Sequence, residues 1–562
     1  MKFSEMPYVR PDVDKLLADL ADAAKRFEEA TSAKAQLDVL RDVEKVSSAF
    51  YTMAVIASIR NSVDTRDEFY AGEKAFYDQA GPLIAEKSQL LSLAMLNSPF
   101  RAELEKELGE VTFINTEMEI KSFSPEIIPL MQEENALTSQ YQKLYASARI
   151  PFDGKVLTVA QLGIYTQSPD RAVRKAAVEA QAGFFDEHQA EFDEIFDKLV
   201  KNRTEQAKKL GFDTFVPLGY LRRQRNCYGL SEVATFRRQI IEDVVPVVNK
   251  IKARQKERIG VEEFKFYDNA FVFPDGNPTP KGTPEEILAA GRQMYTELSP
   301  ETADFIAQMF EMDLFDVLAK EGKAPGGYCT EIADYECPFI FSNFNGTSGD
   351  VDVLTHEAGH AFAAYMSYRH IPWSMSRQPS MEGCETHSMS MEFLTSPWHH
   401  LFFKEDTAKY EQAHAEDALI FLPYGTMVDH FQEIIYSNPD LTPAERNAEW
   451  AKLEKIYRPY LDCEGVPFYG RGATWQRQLH IYLYPFYYLD YCMAQAMALE
   501  FYSLFLQDAK FAWQKYLDFV KLGGTKTFVG LIEAVGLKSP LKEGTLKEVV
   551  AELDAWLEKH SV

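Results

Sequence analysis

Cysteine is scarce and unpatterned in this chain. Its six cysteines (Cys227, Cys329, Cys337, Cys384, Cys463 and Cys492) show no C-x-x-C spacing, which speaks against a disulfide framework and against a cysteine-ligated zinc site. Positive charge is short as well. With 59 Lys and Arg against 85 Asp and Glu the net charge is −26, the wrong sign for a surface that must displace counterions from nucleic acid. The first residues, MKFSEMPYVRPDVDKLLADL, lack the basic-then-apolar order of a signal peptide. The most apolar window, His480 to Leu499, is interrupted by Pro485, Asp490, Gln495 and the tyrosines 482, 484, 487, 488 and 491. It reads as a buried helix lining something polar rather than a membrane span. No repeat, low-complexity tract, G-x-S-x-G or G-x-x-x-x-G-K-[ST] is present, so serine-hydrolase and P-loop chemistry have no foothold. A protein of the reducing cytoplasm that binds neither nucleic acid nor membrane fits these absences.

What is present is a soluble composition, 46% hydrophobic and 26% charged over 562 residues, long enough for two or three domains. Helical periodicity dominates. Long helices are expected from about Asp12 to Leu96, punctuated by Asn97-Ser98-Pro99, and again from Ser168-Pro169-Asp170 to a stop at Gly211. The stripe Phe184, Phe185, Phe192, Phe196 reads as core packing. Strand signals are few: Phe264–Tyr267, Ala270–Phe273, Gly326–Cys329 and Pro338–Phe344. The last two predict a small sheet just upstream of residue 350. A boundary near residue 200 divides an N-terminal helical part, 1–200, from a part carrying the chemistry, 201–562.

That chemistry centres on Thr355-His356-Glu357-Ala358-Gly359-His360. On a helix, residues i and i+4 share a face, so His356 and His360 can aim their imidazoles at one metal ion. Glu357, between them, is placed to take a proton from an activated water. The bland alternative is a buried helix with two satisfied histidines. A catalytic zinc commonly has three protein ligands and one open position. A metzincin would need His at 366, which is Met366, so the third ligand should be a carboxylate further along. The stretch 379–393 offers Glu382, Glu385, His387 and Glu392. Glu382, Glu385 and Glu392 share one helical stripe, so one could bind metal while another braces a ligand, and periodicity does not choose among them.

The run GGYCTEIADYECPFIFSNFNGTSGDVDVLTHEAGHAFAAYMS, followed by MEGCETHSMSMEFL, closely resembles the oligoendopeptidase F branch of the thimet-oligopeptidase-like metallopeptidases. The likeness is dense from Gly326 to Phe393, and weaker similarity extends through most of the chain, including LTVAQLGIYTQSPDRAVRKAA. The resemblance implies Zn2+ held by His356, His360 and Glu385. It implies a mainly α, two-lobed helical metallopeptidase with a deep central channel and a small β-sheet beside the H-E-x-x-H helix. It also implies an activity: zinc-dependent hydrolysis of internal bonds in short, unstructured peptides.

Other residues take their places around that expectation. The segment Trp475–Tyr491 is rich in hydrogen-bond donors, as the oxyanion of a tetrahedral intermediate requires. Pro485 suits the first turn of a helix, which would put Tyr488 and Tyr491 on one face. In the thimet-like family a His followed by spaced tyrosines lines the cleft opposite the zinc, which points to His480 and Tyr491 first, then Tyr488 and Tyr484. Gly465–Gly472 is expected to be a mobile loop over the active site. Phe344-Asn345-Gly346 is expected to present a strand edge to the substrate backbone, the alternative being a turn into the zinc helix. Cys384 reads as packing. An exopeptidase and a non-catalytic helical scaffold are the competing functional readings, and the absent G-x-M-x-N motif lowers the aminopeptidase version.

Overall fold

The computed structural model describes residues 1–320, 322–324 and 326–562, with the backbone alone at Pro82. Helices make up most of the chain, and among the described residues strands form only a short hairpin and a three-stranded sheet. By contact the chain separates into two compact units, each built from three segments. The first comprises Met1–Ile120, Thr279–Thr407 and Leu504–Leu537; the second comprises Lys121–Pro278, Ala408–Ser503 and Lys538–Val562. Residue 200, near the expected boundary, lies inside the helix Gln189–Lys209.

The first unit opens with three long helices, α1 (Val13–Glu29), α2 (Ala33–Val63) and α3 (Glu68–Leu96). Each start is capped by a side chain that accepts an otherwise orphaned backbone N–H: Asp12 from Lys15, Ser32 from Ala35 and Asp67 from Phe69 and Tyr70. On α1 the buried residues are Leu16, Leu20, Ala23, Ala24 and Phe27, one apolar stripe at helical spacing. Ala23, Ala24 and Phe27 face a core with Val39, Leu40, Met95, Leu104, Phe113 and Trp373, while Leu16 and Leu20 join a second cluster with Phe50, Ala80 and Ile84.

A sheet follows, with strands β1 (Phe315–Leu318), β2 (Tyr328–Ile332) and β3 (Cys337–Phe344). Its spatial order is β1-β3-β2, β3 lying parallel to β1 and antiparallel to β2. The middle strand is buried at every position but Asn343, which is why it reads as a near-continuous apolar run. It leads into α4 (Gly349–His370). After α4 come α5 (Met381–Leu394) and, later, α6 (Ala509–Leu522).

In the second unit a hairpin pairs Ile150–Phe152 with Lys155–Leu157. The helix expected from Ser168 to Gly211 is two helices, Arg171–Glu187 and Gln189–Lys209, broken at His188 and stopped by Gly211 at φ +84°. Phe185, Phe192 and Phe196 are buried completely, with Phe184 beside them, as core. The aromatic runs at 264–267 and 270–273 are not strands. They form a single 3-10 turn, Phe266–Asp268, and irregular chain. Buried Asp268 accepts from Arg171 and Arg174, whose guanidinium groups stack over Tyr267 and Phe271, so tertiary packing overrides local β propensity. Two further helices matter for the chemistry, Thr407–Ser437 and Tyr487–Gln507. Pro485 falls outside the latter helix and not in its first turn.

Candidate metal centre and active site

Asp350 starts α4 electrostatically: its two carboxylate oxygens accept the backbone N–H groups of Asn345 and Gly346 at 2.8 and 2.7 Å. Those N–H groups are therefore committed to the helix start. Phe344 ends the middle strand, paired with Leu318 of β1, and Asn345 and Gly346 turn from it into α4.

Two turns into α4, His356 and His360 project from one face, their rings 5.0 Å apart. α5 packs across them. Glu385 Oε2 lies 3.4 Å from His356 Nε2 and 3.5 Å from His360 Nε2. For ligand bonds of about 2.0–2.1 Å, the edge of a tetrahedron is about 3.3–3.4 Å, so these spacings suit one ion of the zinc type. Two imidazole nitrogens and a carboxylate oxygen are also the right donors for it.

The three candidate glutamates of α5 separate by position. Glu385 reaches both imidazoles and additionally accepts from Ser388 Oγ at 3.2 Å. Glu392 accepts at 2.7 Å from Nδ1 of His356, an arrangement that turns the Nε2 lone pair towards Glu385. Glu382 is buried in the first turn and outside the cluster. His387 is buried against Phe519, and burial with nearby His360 pushes its pKa down to about 3. The electrostatics match this division. Burial disfavours charge on Glu385, but His356 and His360 outweigh it and hold the carboxyl well below its ordinary range. Burial likewise opposes protonation of His356, and Glu385 and Glu392 reverse the balance, raising its pKa.

Glu357, beside the cluster, is 9% exposed. Burial lifts its carboxyl above the ordinary value, opposed in part by His356, His360 and the donating N–H of Cys329 on β2. A carboxylate with a raised pKa is suited to taking up a proton near neutral pH. Cys384 is buried and its thiol is pushed up by burial, so it stays protonated.

One residue inside the motif escaped the sequence reading. A Cβ on Gly359 would stand 2.6 Å from Ser388 Cα and 2.8 Å from the His387 carbonyl oxygen. The glycine lets α4 and α5 approach closely enough for Glu385 to reach both histidines. A glycine in the middle of an otherwise unbroken helix was the available signal.

His480, Tyr484, Tyr488 and Tyr491 belong to the second unit. The ring of His480 lies 4.8 Å from Tyr488, 6.0 Å from Tyr484 and 6.1 Å from Tyr491, with Tyr487 also in the cluster at 5.9 Å. Tyr484 precedes the helix and is 49% exposed. The turn ahead of that helix is tightly held. Phe486 sits at φ +67°, its N–H donates to Gln432 at 3.0 Å, and its carbonyl accepts from buried Arg225 at 2.6 Å. The Nδ1 of His480 is 3.0 Å from Gln478 Nε2, and Gln478 Oε1 accepts from Tyr424 at 2.6 Å. Gln478, Tyr424 and Tyr487 were not singled out from sequence, because only the fold brings them to His480.

Comparison with known proteins agrees with this geometry. The peptidase M3 N-terminal domain profile matches residues 3–123, and that of peptidase family M3 matches residues 164–279 and 295–551. The chain belongs to peptidase family M3. Within it, the chain falls in the oligoendopeptidase F branch. It is 22% identical to Oligopeptidase PepF of Bacillus subtilis (strain 168), with 95% of this chain and 81% of that protein aligned. It is 21% identical to the oligoendopeptidase F homolog of Lactococcus lactis subsp. lactis (strain IL1403), over 90% of this chain and 86% of that one. The solved structure of PZ peptidase A with an inhibitor superposes with a TM-score of 0.93 at 48% identity, covering 99% of both chains. Among the described residues no helix is long and apolar enough to cross a membrane.

Proposed function

We propose that this peptidase is a zinc-dependent endopeptidase of short, unstructured oligopeptides, with His356, His360 and Glu385 as metal ligands and Glu357 as general base. The observation that carries the reading is the placement of Glu385 Oε2 at 3.4 and 3.5 Å from the two Nε2 atoms. When bound, a zinc ion supplies a Lewis acid for the scissile carbonyl and makes water acidic enough to be deprotonated near neutral pH. The chain's own groups do the rest. Glu357 takes the proton from the attacking water and delivers it to the leaving amine. Glu392 keeps His356 in the tautomer that offers Nε2 to the ion. To His480 and Tyr491, and then Tyr488 and Tyr484, we assign hydrogen bonding to the carbonyl oxygen as charge develops on it, by the family resemblance.

The restriction to oligopeptides is supported by the names of the relatives, and all the residues assigned lie within the stretch 201–562 taken as the catalytic part. A cytoplasmic setting completes the reading. The test combines metal analysis with mass spectrometry of the products of an end-blocked peptide of about ten residues, long enough to span roughly 30 Å. Internal cleavage lost to chelator and restored by zinc is expected. Release of terminal residues only, or efficient degradation of a folded protein, contradicts the endopeptidase or the size limit respectively.

A further inference from the structure

The second unit contains a recess of about 440 Å³, within the usual range of small-ligand sites, that the reading above leaves unused. Arg458 and Arg477 line it, with Glu454 the only carboxylate in the lining. Glu454 is already engaged: it accepts from Thr474 at 3.2 Å and sits 3.5 Å from Arg458 Nη1. Arg477 donates to the Tyr469 hydroxyl at 3.1 Å and has no ion pair among the described residues. Arg477 is an exposed residue, and its guanidinium lines the recess within reach of water.

The buried arginines of this unit are spoken for by carboxylates. Buried Arg174, Arg203 and Arg446 lie 2.9, 2.7 and 3.0 Å from the carboxylates of Asp268, Glu134 and Asp197. A guanidinium keeps its proton, so Arg477, with no carboxylate partner, offers the recess a positive charge that an anion can take up. In a chain of net charge −26, a recess lined by two cations and one occupied carboxylate is selective for such an anion. Guanidinium and phenol groups together match a carboxylate.

The recess also connects to the His480 cluster. Tyr424 and Gln478 are in its wall, Tyr424 donates to Gln478, and Gln478 Nε2 meets His480 Nδ1. We propose that this recess binds a carboxylate of the peptide, held by Arg477 and Arg458 with the Tyr424 and Tyr469 hydroxyls beside them. This rests on the reading that His480 and its tyrosines face the peptide. The carboxylate is either the free C-terminus or an Asp or Glu side chain of the substrate.

Binding to the zinc-loaded Glu357→Gln protein decides the matter without requiring turnover. Fluorescence anisotropy compares fluorescent peptides of about ten residues that end in a free acid or an amide, and amidated peptides carrying Glu or Gln at each successive position. We expect one acid form to bind roughly 10- to 100-fold tighter than its neutral match, the span of a charge-assisted contact. Whichever pair shows the difference identifies the source of the carboxylate. In Arg477→Gln the ratio falls towards one, and in Arg477→Lys part of it returns. Arg477→Gln should melt close to the parent, because Arg477 is exposed and carries no ion pair among the described residues; a structural arginine would lower the melting point and leave the ratio intact. Acid and neutral forms binding within threefold in every pair overturn the assignment, as does a ratio that Arg477→Gln leaves unchanged. Absence of internal cleavage by the wild-type enzyme would instead count against the endopeptidase reading, a separate measurement.

Discussion

Glu392 is bonded to the far side of the His356 imidazole: its Oε1 lies 2.7 Å from Nδ1, while Nε2 of the same ring faces Glu385. A histidine gripped this way loses rotational freedom and becomes a stronger donor. Glu392→Ala should therefore weaken zinc binding by about 10- to 100-fold, as loss of such outer partners usually does. Competition against a chromophoric chelator measures it. An affinity within threefold of wild type would mean that packing alone orients His356.

Glu357→Gln makes the complementary statement about chemistry. Its side chain is not among the three clustered ligand atoms, so the variant should bind zinc as tightly as the parent. Loss of the proton acceptor should nevertheless lower kcat by about 10²- to 10⁴-fold. Retained turnover at full metal occupancy would take Glu357 out of the mechanism.

Gly359→Ala tests whether the helix approach sets the site. A methyl group 2.6 Å from Ser388 Cα and 2.8 Å from the His387 carbonyl meets backbone, which is not free to swing aside. Overpacking of this kind costs about 1–3 kcal/mol, so a lowered Tm is expected. Because α5 carries Glu385, the same displacement should weaken zinc binding. A variant with lowered Tm but unchanged metal affinity would separate stability from ligand geometry.

The face shared by His356 and His360 was legible in sequence because i, i+4 spacing on a helix is local geometry that needs nothing beyond α4 itself. The carboxylate that joins them was not. Glu382, Glu385 and Glu392 share a stripe on α5, and the choice among them depends on how that helix crosses α4 at Gly359, a tertiary relation that only the family resemblance supplied. The same limit explains Phe264–Phe273, where aromatic runs of strand character are held irregular by arginines arriving from other helices. It also explains the three-segment make-up of each unit, since the contacts joining residues 1–120 to 504–537 have no signature in either stretch. The sheet beside α4 was legible from the apolar run ending at Phe344. Its central rather than outer position for that run was not, because strand order is a property of the partners.

Tyr491→Phe addresses the second unit. The Tyr491 ring packs against Tyr487, tilted, and edge-on to Tyr488 and His480, so removing only the hydroxyl leaves the packing in place. If the hydroxyl donates to the developing oxyanion, kcat should fall by roughly 10²-fold with KM little changed. A change below threefold would return Tyr491 to the aromatic core.

Glu500 provides a pH-dependent test of stability away from the active site. It is 9% exposed, accepts the Lys538 N–H at 2.9 Å, and burial pushes its pKa up to about 7 despite that bond. The ordinary value for this carboxyl is 4.5, so between pH 4.5 and about 7 the folded protein holds a proton that the unfolded chain has released. Stability therefore falls as pH rises through this window. The penalty is absent below 4.5 and complete above about 7, where it reaches about 3 kcal/mol. Glu500→Gln keeps an oxygen for Lys538 and removes the charge. The variant should match wild type near pH 4.5 and melt at a higher temperature at pH 8, the gap widening with pH. A Tm difference that is constant between those two pH values would show that Glu500 does not titrate as its surroundings dictate.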